Sequence, residues 1–155
     1  QGKERVKMPD VQRVQIRAAA MLWDQDCLLL QAPVDHPVRW AVPGGHVETG
    51  ETTATCLKRE FIEEMDLRID PQKLLYVHEH FYCDEGISTQ EYGFYWSCTS
   101  PHPSSDLRDR TARPVETHML FRWVPRNEMD QWKILPDFLS KALLETSLEL
   151  RFFSS

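Results

Sequence analysis

Residues 43–67 read Pro-Gly-Gly-His-Val-Glu-Thr-Gly-Glu-Thr-Thr-Ala-Thr-Cys-Leu-Lys-Arg-Glu-Phe-Ile-Glu-Glu-Met-Asp-Leu, a glycine loop feeding an acidic helix. Three of the six glycines of the chain, Gly44, Gly45 and Gly50, fall here, where they allow a positive φ or a close backbone approach. After them Ala54, Leu57, Phe61 and Met65 recur at three- and four-residue intervals, the mark of one helix face turned to the core. On the same wheel Glu60, Glu63 and Glu64 stand at i, i+3 and i+4 and form a second stripe. Like charges at this spacing cost a helix a few tenths of a kcal/mol per pair. Such a stripe beside a glycine loop calls for a cation, and oxygen-only ligands suit a hard divalent one that shares its remaining positions with water and phosphates.

The full spacing is more specific. Gly45, five residues, Glu51, seven residues, Arg59-Glu60, the apolar Phe61, one residue, Glu63-Glu64, one residue, Asp66 and the apolar Leu67 resembles the Nudix box. The likeness extends to the lead-in from Trp40 to Gly45 and to the strand order around it, and weakens beyond Thr99. One position departs: the family pattern has Gly where this chain has Asp66. A left-handed residue is expected there, which Asp tolerates better than most, at a cost on the order of 1 kcal/mol.

The resemblance implies an α+β domain, an α/β/α sandwich with a mixed sheet in which the box loop and helix form the catalytic element. It implies hydrolysis of a nucleoside diphosphate linked to another group, by water attack on the pyrophosphate bridge, with Mg²⁺ or Mn²⁺. Glu60 and Glu64 are then the principal metal ligands, Glu63 completes the cluster, the Gly44 carbonyl offers a further oxygen, and Arg59 and Glu51 orient the carboxylates. Family members differ in their general base. A box carboxylate or Glu91, Glu116 or Glu79 are the candidates here, Glu91 first because it opens a strand close to the box. Arg39 and His36 are candidate phosphate contacts. Trp40, Phe81, Tyr82, Tyr92, Phe94 and Trp96 are candidate base-stacking rings, with Arg39, Trp40, Phe81 and Tyr82 the preferred substrate set. Nucleoside triphosphates, ADP-ribose, dinucleoside polyphosphates and nucleotide sugars all remain as substrates. A non-catalytic nucleotide sensor is the alternative, and isoprenoid diphosphate isomerisation stands behind it.

Length and composition bound the rest. A chain of 155 residues, 41% hydrophobic and 27% charged, is long enough for one ordinary globular domain with a sizeable core. Gln1 to Lys7 are polar and read as an appended or disordered arm, so one domain is expected over 8–155. Residues 45–67 hold six acids against two bases and carry most of the net charge of −6. That concentration argues against a nucleic-acid polymer, which calls for a basic patch. The longest apolar run, Ala18 to Trp23, is too short for a membrane span. Four cysteines without a Cys-x-x-Cys pair and the lack of a leader suggest a reduced cytoplasm, and a homodimer is allowed for. His78, His80 and Cys83 share a strand face, but packed strand histidines are commoner than zinc ligands there.

Strands are expected over Val14–Trp23, Cys27–Gln31, Trp40–Val42, Lys73–Cys83, Gln90–Thr99 and Met119–Val124, with Leu67–Asp70 extended and Cys83–Thr89 as a turn. A second helix is expected over Pro136–Glu145, a long binding loop or lid over Ser100–Thr117, and an end from Leu148 that the pattern does not define.

Overall fold

A computed structural model describes residues 10–101, 118–145 and 149–155. Its seam is strand β1 (Arg13–Asp24). Side chains alternate along a strand, so Ala18, Ala20 and Leu22 enter one core cluster while Ala19 and Met21 enter the other. All five are at most 1% exposed, so β1 is covered on both sides. The three consecutive alanines keep both neighbouring layers close.

The remaining elements are β2 (Cys27–Pro33), β3 (Trp40–Ala41), β4 (Gly44–His46), α1 (Thr53–Met65), β5 (Asp70–Asp84), β6 (Ile87–Thr99), β7 (Met119–Pro125), a 3-10 turn (Arg126–Gln131), β8 (Ile134–Leu135), α2 (Phe138–Ala142) and β9 (Arg151–Ser154). The sheet runs β8-β3-β2-β1-β6-β5-β9, with β4 also on β1 and β7 also on β2. It is mixed: β1 lies parallel to β6, β5 antiparallel to β6 and parallel to β9. Helix α1 packs on one face through Cys56, Leu57, Phe61 and Met65, and α2 with the 3-10 turn packs on the other through Leu139, Ala142 and Met129. The expected α+β architecture, helices on both faces of a mixed sheet, is the one observed.

The site lies where β2 parts from β1. The two pair only at Trp23↔Leu28 and Asp24↔Cys27. Farther along, β4 takes over the vacated edge, with Arg17↔His46, Ala18↔Gly45 and Ala19↔Gly44 opposed. The approach is so close that a Cβ on Gly44 would lie 2.0 Å from the Ala18 carbonyl oxygen, so only glycine fits. The glycine stretch that reads as pure loop therefore includes a strand. A gap opens between β1 and the diverging β2.

Other boundaries move for local reasons. The Cys83–Thr89 turn contracts to Glu85 and Gly86, whose φ values of 48° and 79° suit a two-residue hairpin between β5 and β6. The second helix is shorter than Pro136–Glu145. Beyond Ala142 the amides of Leu144 and Glu145 reach back only three residues, to Lys141 and Ala142, and Leu144 is 64% exposed. The undefined end becomes β9, and the proposed loop lies outside the described residues from 102 to 117.

Helix α1 is capped at both ends. Thr52 accepts from the Thr55 amide at 3.0 Å. Asp66 ends the helix at φ 51°, ψ 39°, with its amide donating to Ile62 and the Leu67 amide to Phe61. This is the left-handed C-terminal stop expected at the position where the family pattern has glycine. Relieving the Cβ crowding by Asp66→Gly should stabilise the fold by about 1 kcal/mol, or roughly 2–4 °C in thermal midpoint for a domain of this size. Differential scanning calorimetry checks it; a lower midpoint would mean that the Asp66 side chain contributes to stability.

Candidate active site

Loop and helix are joined by one guanidinium. Arg59 Nε donates to Glu51 Oε2 at 3.0 Å and Nη2 to Glu51 Oε1 at 2.6 Å, a two-pronged pair. Its Nη1 reaches Glu60 at 3.0 Å and Glu63 at 3.2 Å, and Nη2 also meets the His46 carbonyl at 3.2 Å. One side chain thus ties the loop at residues 46 and 51 to two carboxylates of the helix stripe. Glu51 further accepts from the Glu48 amide at 2.9 Å. Pairing with Arg59 holds the Glu51 carboxyl down at about 2, and Glu51 in turn raises the Arg59 guanidinium. Behind them Cys56 is fully buried, and burial pushes its thiol up to about 12, so it is an inert packing residue.

Glu60 lies over Gly45. A Cβ there would stand 2.1 Å from the Glu60 carboxyl carbon, so the missing side chain is the space that the carboxylate occupies. Glu64 is half-buried on the same stripe. Among the described residues no three acidic, imidazole or thiol groups already enclose an ion, because Glu60 and Glu63 are drawn to Arg59. The donors on the helix stripe are nonetheless carboxylate oxygens, which fit a hard divalent cation. His78, His80 and Cys83 form no such group either.

On the α2 face the gap becomes a cleft of about 760 Å³, with Arg17, Arg39, His46, His80, Tyr82 and Glu91 among its walls. Glu91 is 7% exposed and accepts from His80 at 3.1 Å and Tyr82 at 3.0 Å, with His46 at 3.7 Å. Burial alone would raise its carboxyl. Hydrogen bonds from His80 and Tyr82 and the nearby Arg17 oppose burial and hold it below the usual range. His78 stacks on His80 at 4.4 Å and on Phe138 at 4.5 Å, and its Nε2 meets Ser155 Oγ at 2.8 Å. Burial, followed by the neighbouring His80, lowers the His78 imidazole to about 4.

The box residues Gly44, Glu51, Arg59, Glu60, Glu63 and Glu64 come together around the loop–helix junction, whereas Arg39, Tyr82 and Glu91 line the cleft. Trp40 and Phe81 do not line it. Trp40 packs edge-on against Trp132 at 4.9 Å. Phe81 sits in register with Gln90, one residue off the His80–Tyr82 face, so strand alternation turns it to the other side of the sheet. Glu79 accepts from Ser154 Oγ at 2.9 Å, and Glu116 lies outside the described residues. The cleft residues His46 and Arg17, and Gln15 beside His46, were absent from the sequence-based set. Period-two alternation on β1 could have put Gln15 and Arg17 beside Ala19 on one face.

The chain matches the NUDIX domain family over residues 13–142. A stretch of 63 residues, 39% of this chain, is 40% identical to human 8-oxo-dGDP phosphatase NUDT18 and spans 20% of that relative's length. Among solved structures, the MutT protein of Bacillus halodurans superposes with a TM-score of 0.65 at 21% identity, covering 90% of this chain and 89% of that one. An ADP-ribose pyrophosphatase of Streptococcus suis gives 0.58 at 14% identity, covering 91% and 98%. These two likenesses concern the fold.

Gly45→Ala should displace the Glu60 carboxylate and cost about a hundredfold in kcat, the scale of a 1 Å misplacement, while the far-UV circular dichroism stays unchanged. Retained turnover would detach Glu60 from the chemistry. His78 gives a pH test: as pH falls from 6.5 to about 4 the unfolded chain takes up a proton that folded His78 refuses, so its contribution destabilises the fold through that window. Urea titrations at successive pH values should show a shallower loss in His78→Asn than in the wild type.

Proposed function

The chain belongs to the NUDIX family, and from that premise we propose that it hydrolyses the pyrophosphate linkage of a nucleoside diphosphate derivative. The observation that carries the reading is the Arg59 clamp, which holds Glu51, Glu60 and Glu63 at one junction while the bare backbone of Gly45 leaves space for Glu60. The relatives named for 8-oxo-dGDP and ADP-ribose support the substrate class, since both compounds contain a nucleoside diphosphate.

Glu60, Glu64 and Glu63, with the Gly44 carbonyl, would hold Mg²⁺ or Mn²⁺. Bound there, such an ion neutralises phosphate charge and acidifies water. Arg59 and Glu51 keep the carboxylates oriented. Arg17 and Arg39 supply positive charge to the cleft, where the remainder of the substrate lies. Glu91 anchors His80 and Tyr82 instead of serving as base, because its oxygens are already engaged. A box carboxylate, Glu79 or Glu116 is then the proton acceptor.

Turnover of ADP-ribose, nucleoside triphosphates including oxidised ones, dinucleoside polyphosphates and nucleotide sugars, with and without Mg²⁺, tests the reading. Activity on one class should fall by at least about a hundredfold in Glu64→Gln. Nucleotides that raise the melting temperature without being cleaved would make the chain a sensor instead. Glu91→Gln should keep kcat within about tenfold, whereas loss of a general base costs about a hundredfold or more.

A further inference from the structure

His46 belongs to both halves of the site. Its carbonyl accepts from Arg59 and its backbone pairs with β1, whereas its ring, 59% exposed, lines the cleft. A substrate reaching from the glycine loop into the cleft passes this ring. Which ring nitrogen carries the proton is set by a polar chain beginning at Arg13.

An arginine only donates. Arg13 Nε and Nη1 lie 2.8 and 3.2 Å from one end of the Gln15 carboxamide, so that end is its oxygen. The amide nitrogen then faces Tyr82 Oη at 3.3 Å and His46 Nε2 at 2.9 Å. Tyr82, receiving from Gln15, passes its own proton to Glu91 at 3.0 Å. His46 Nε2 must accept, and Glu91 at 3.7 Å is too far to hydrogen-bond it. A guanidinium at one end and a carboxylate at the other fix the direction of every bond between them.

We propose that His46 is a substrate-contacting residue which donates its Nδ1–H to a phosphate oxygen of the ligand, and that Gln15, oriented by Arg13, is the positioning residue that selects this tautomer. Nδ1 meets no partner among the described residues on a ring that borders both the glycine loop and the cleft. A donor so placed suits a ligand group that only accepts, as a diphosphate does. The identity of the ligand rests on the hydrolase reading; the tautomer does not.

Two arms test it. In ¹⁵N-histidine-labelled protein, with His46→Asn assigning the resonance, Nδ1 should be the protonated nitrogen and should shift on adding inorganic pyrophosphate. Gln15→Leu should turn His46 into a mixture of tautomers. In turnover, Asn places an N–H where Nδ1 stands and Gln places one where Nε2 stands. His46→Asn should stay within about threefold of wild type in kcat, while His46→Gln and His46→Leu lose roughly ten- to hundredfold, the range for a hydrogen bond to a charged group. A protonated Nε2, a resonance indifferent to pyrophosphate, or Gln replacing His better than Asn would overturn the inference and leave the hydrolase reading standing. If the wild type turned over nothing, the hydrolase reading would fall and the spectroscopic arm would still decide the role of His46.

Discussion

The arrangement depends on one charge balance. Three carboxylates at helical spacing repel one another, and a glycine loop has little of its own to hold a shape. Arg59 answers both problems, binding Glu51 with two nitrogens and reaching Glu60, Glu63 and the His46 carbonyl with the same planar group. A lysine could not replace it, since a point charge lacks the fork that bridges loop and helix. Exposed ion pairs are individually weak. The value of this one is geometric: it sets where the carboxylates stand.

That local character explains what was legible in the sequence. The box spans a loop and one helix, where spacing maps directly onto faces, so Glu60, Glu63, Glu64 and the left-handed stop at Asp66 could be placed from the pattern. The seam could also be anticipated, because Ala18 to Leu22 are apolar without alternation, as a strand buried on both faces must be. The cleft was harder to read. Gln15, His46, Tyr82 and Glu91 come from four strands, and nothing in the sequence states that β4 replaces β2 on the edge of β1. Phe81 illustrates the limit, since an aromatic between His80 and Tyr82 looks equivalent until the register assigns it a face. The second helix was overextended for a related reason: the apolar spacing from Phe138 to Leu144 is helical, but Leu144 is exposed, not buried.

The acidic stripe and the cleft occupy different elements. Carboxylates sit on α1, and the cleft draws residues from all nine strands and the start of α2. The two regions meet at β4, three residues long. A substitution on the cleft strands can therefore reshape the cleft without disturbing the Arg59 network.

The edge shared by β2 and β4 has a consequence for the molecule in company. Val47 donates to Ile16, β4 pairs residues 17 to 19, Ala20 donates to Pro43, and β2 closes the far end at Trp23 and Asp24. An uncovered stretch of β1 would be a template for strands of other chains. The glycine segment seals it. A change that pulled this segment off β1 would expose adhesive backbone in the middle of the domain, and self-association would accompany the loss of the site.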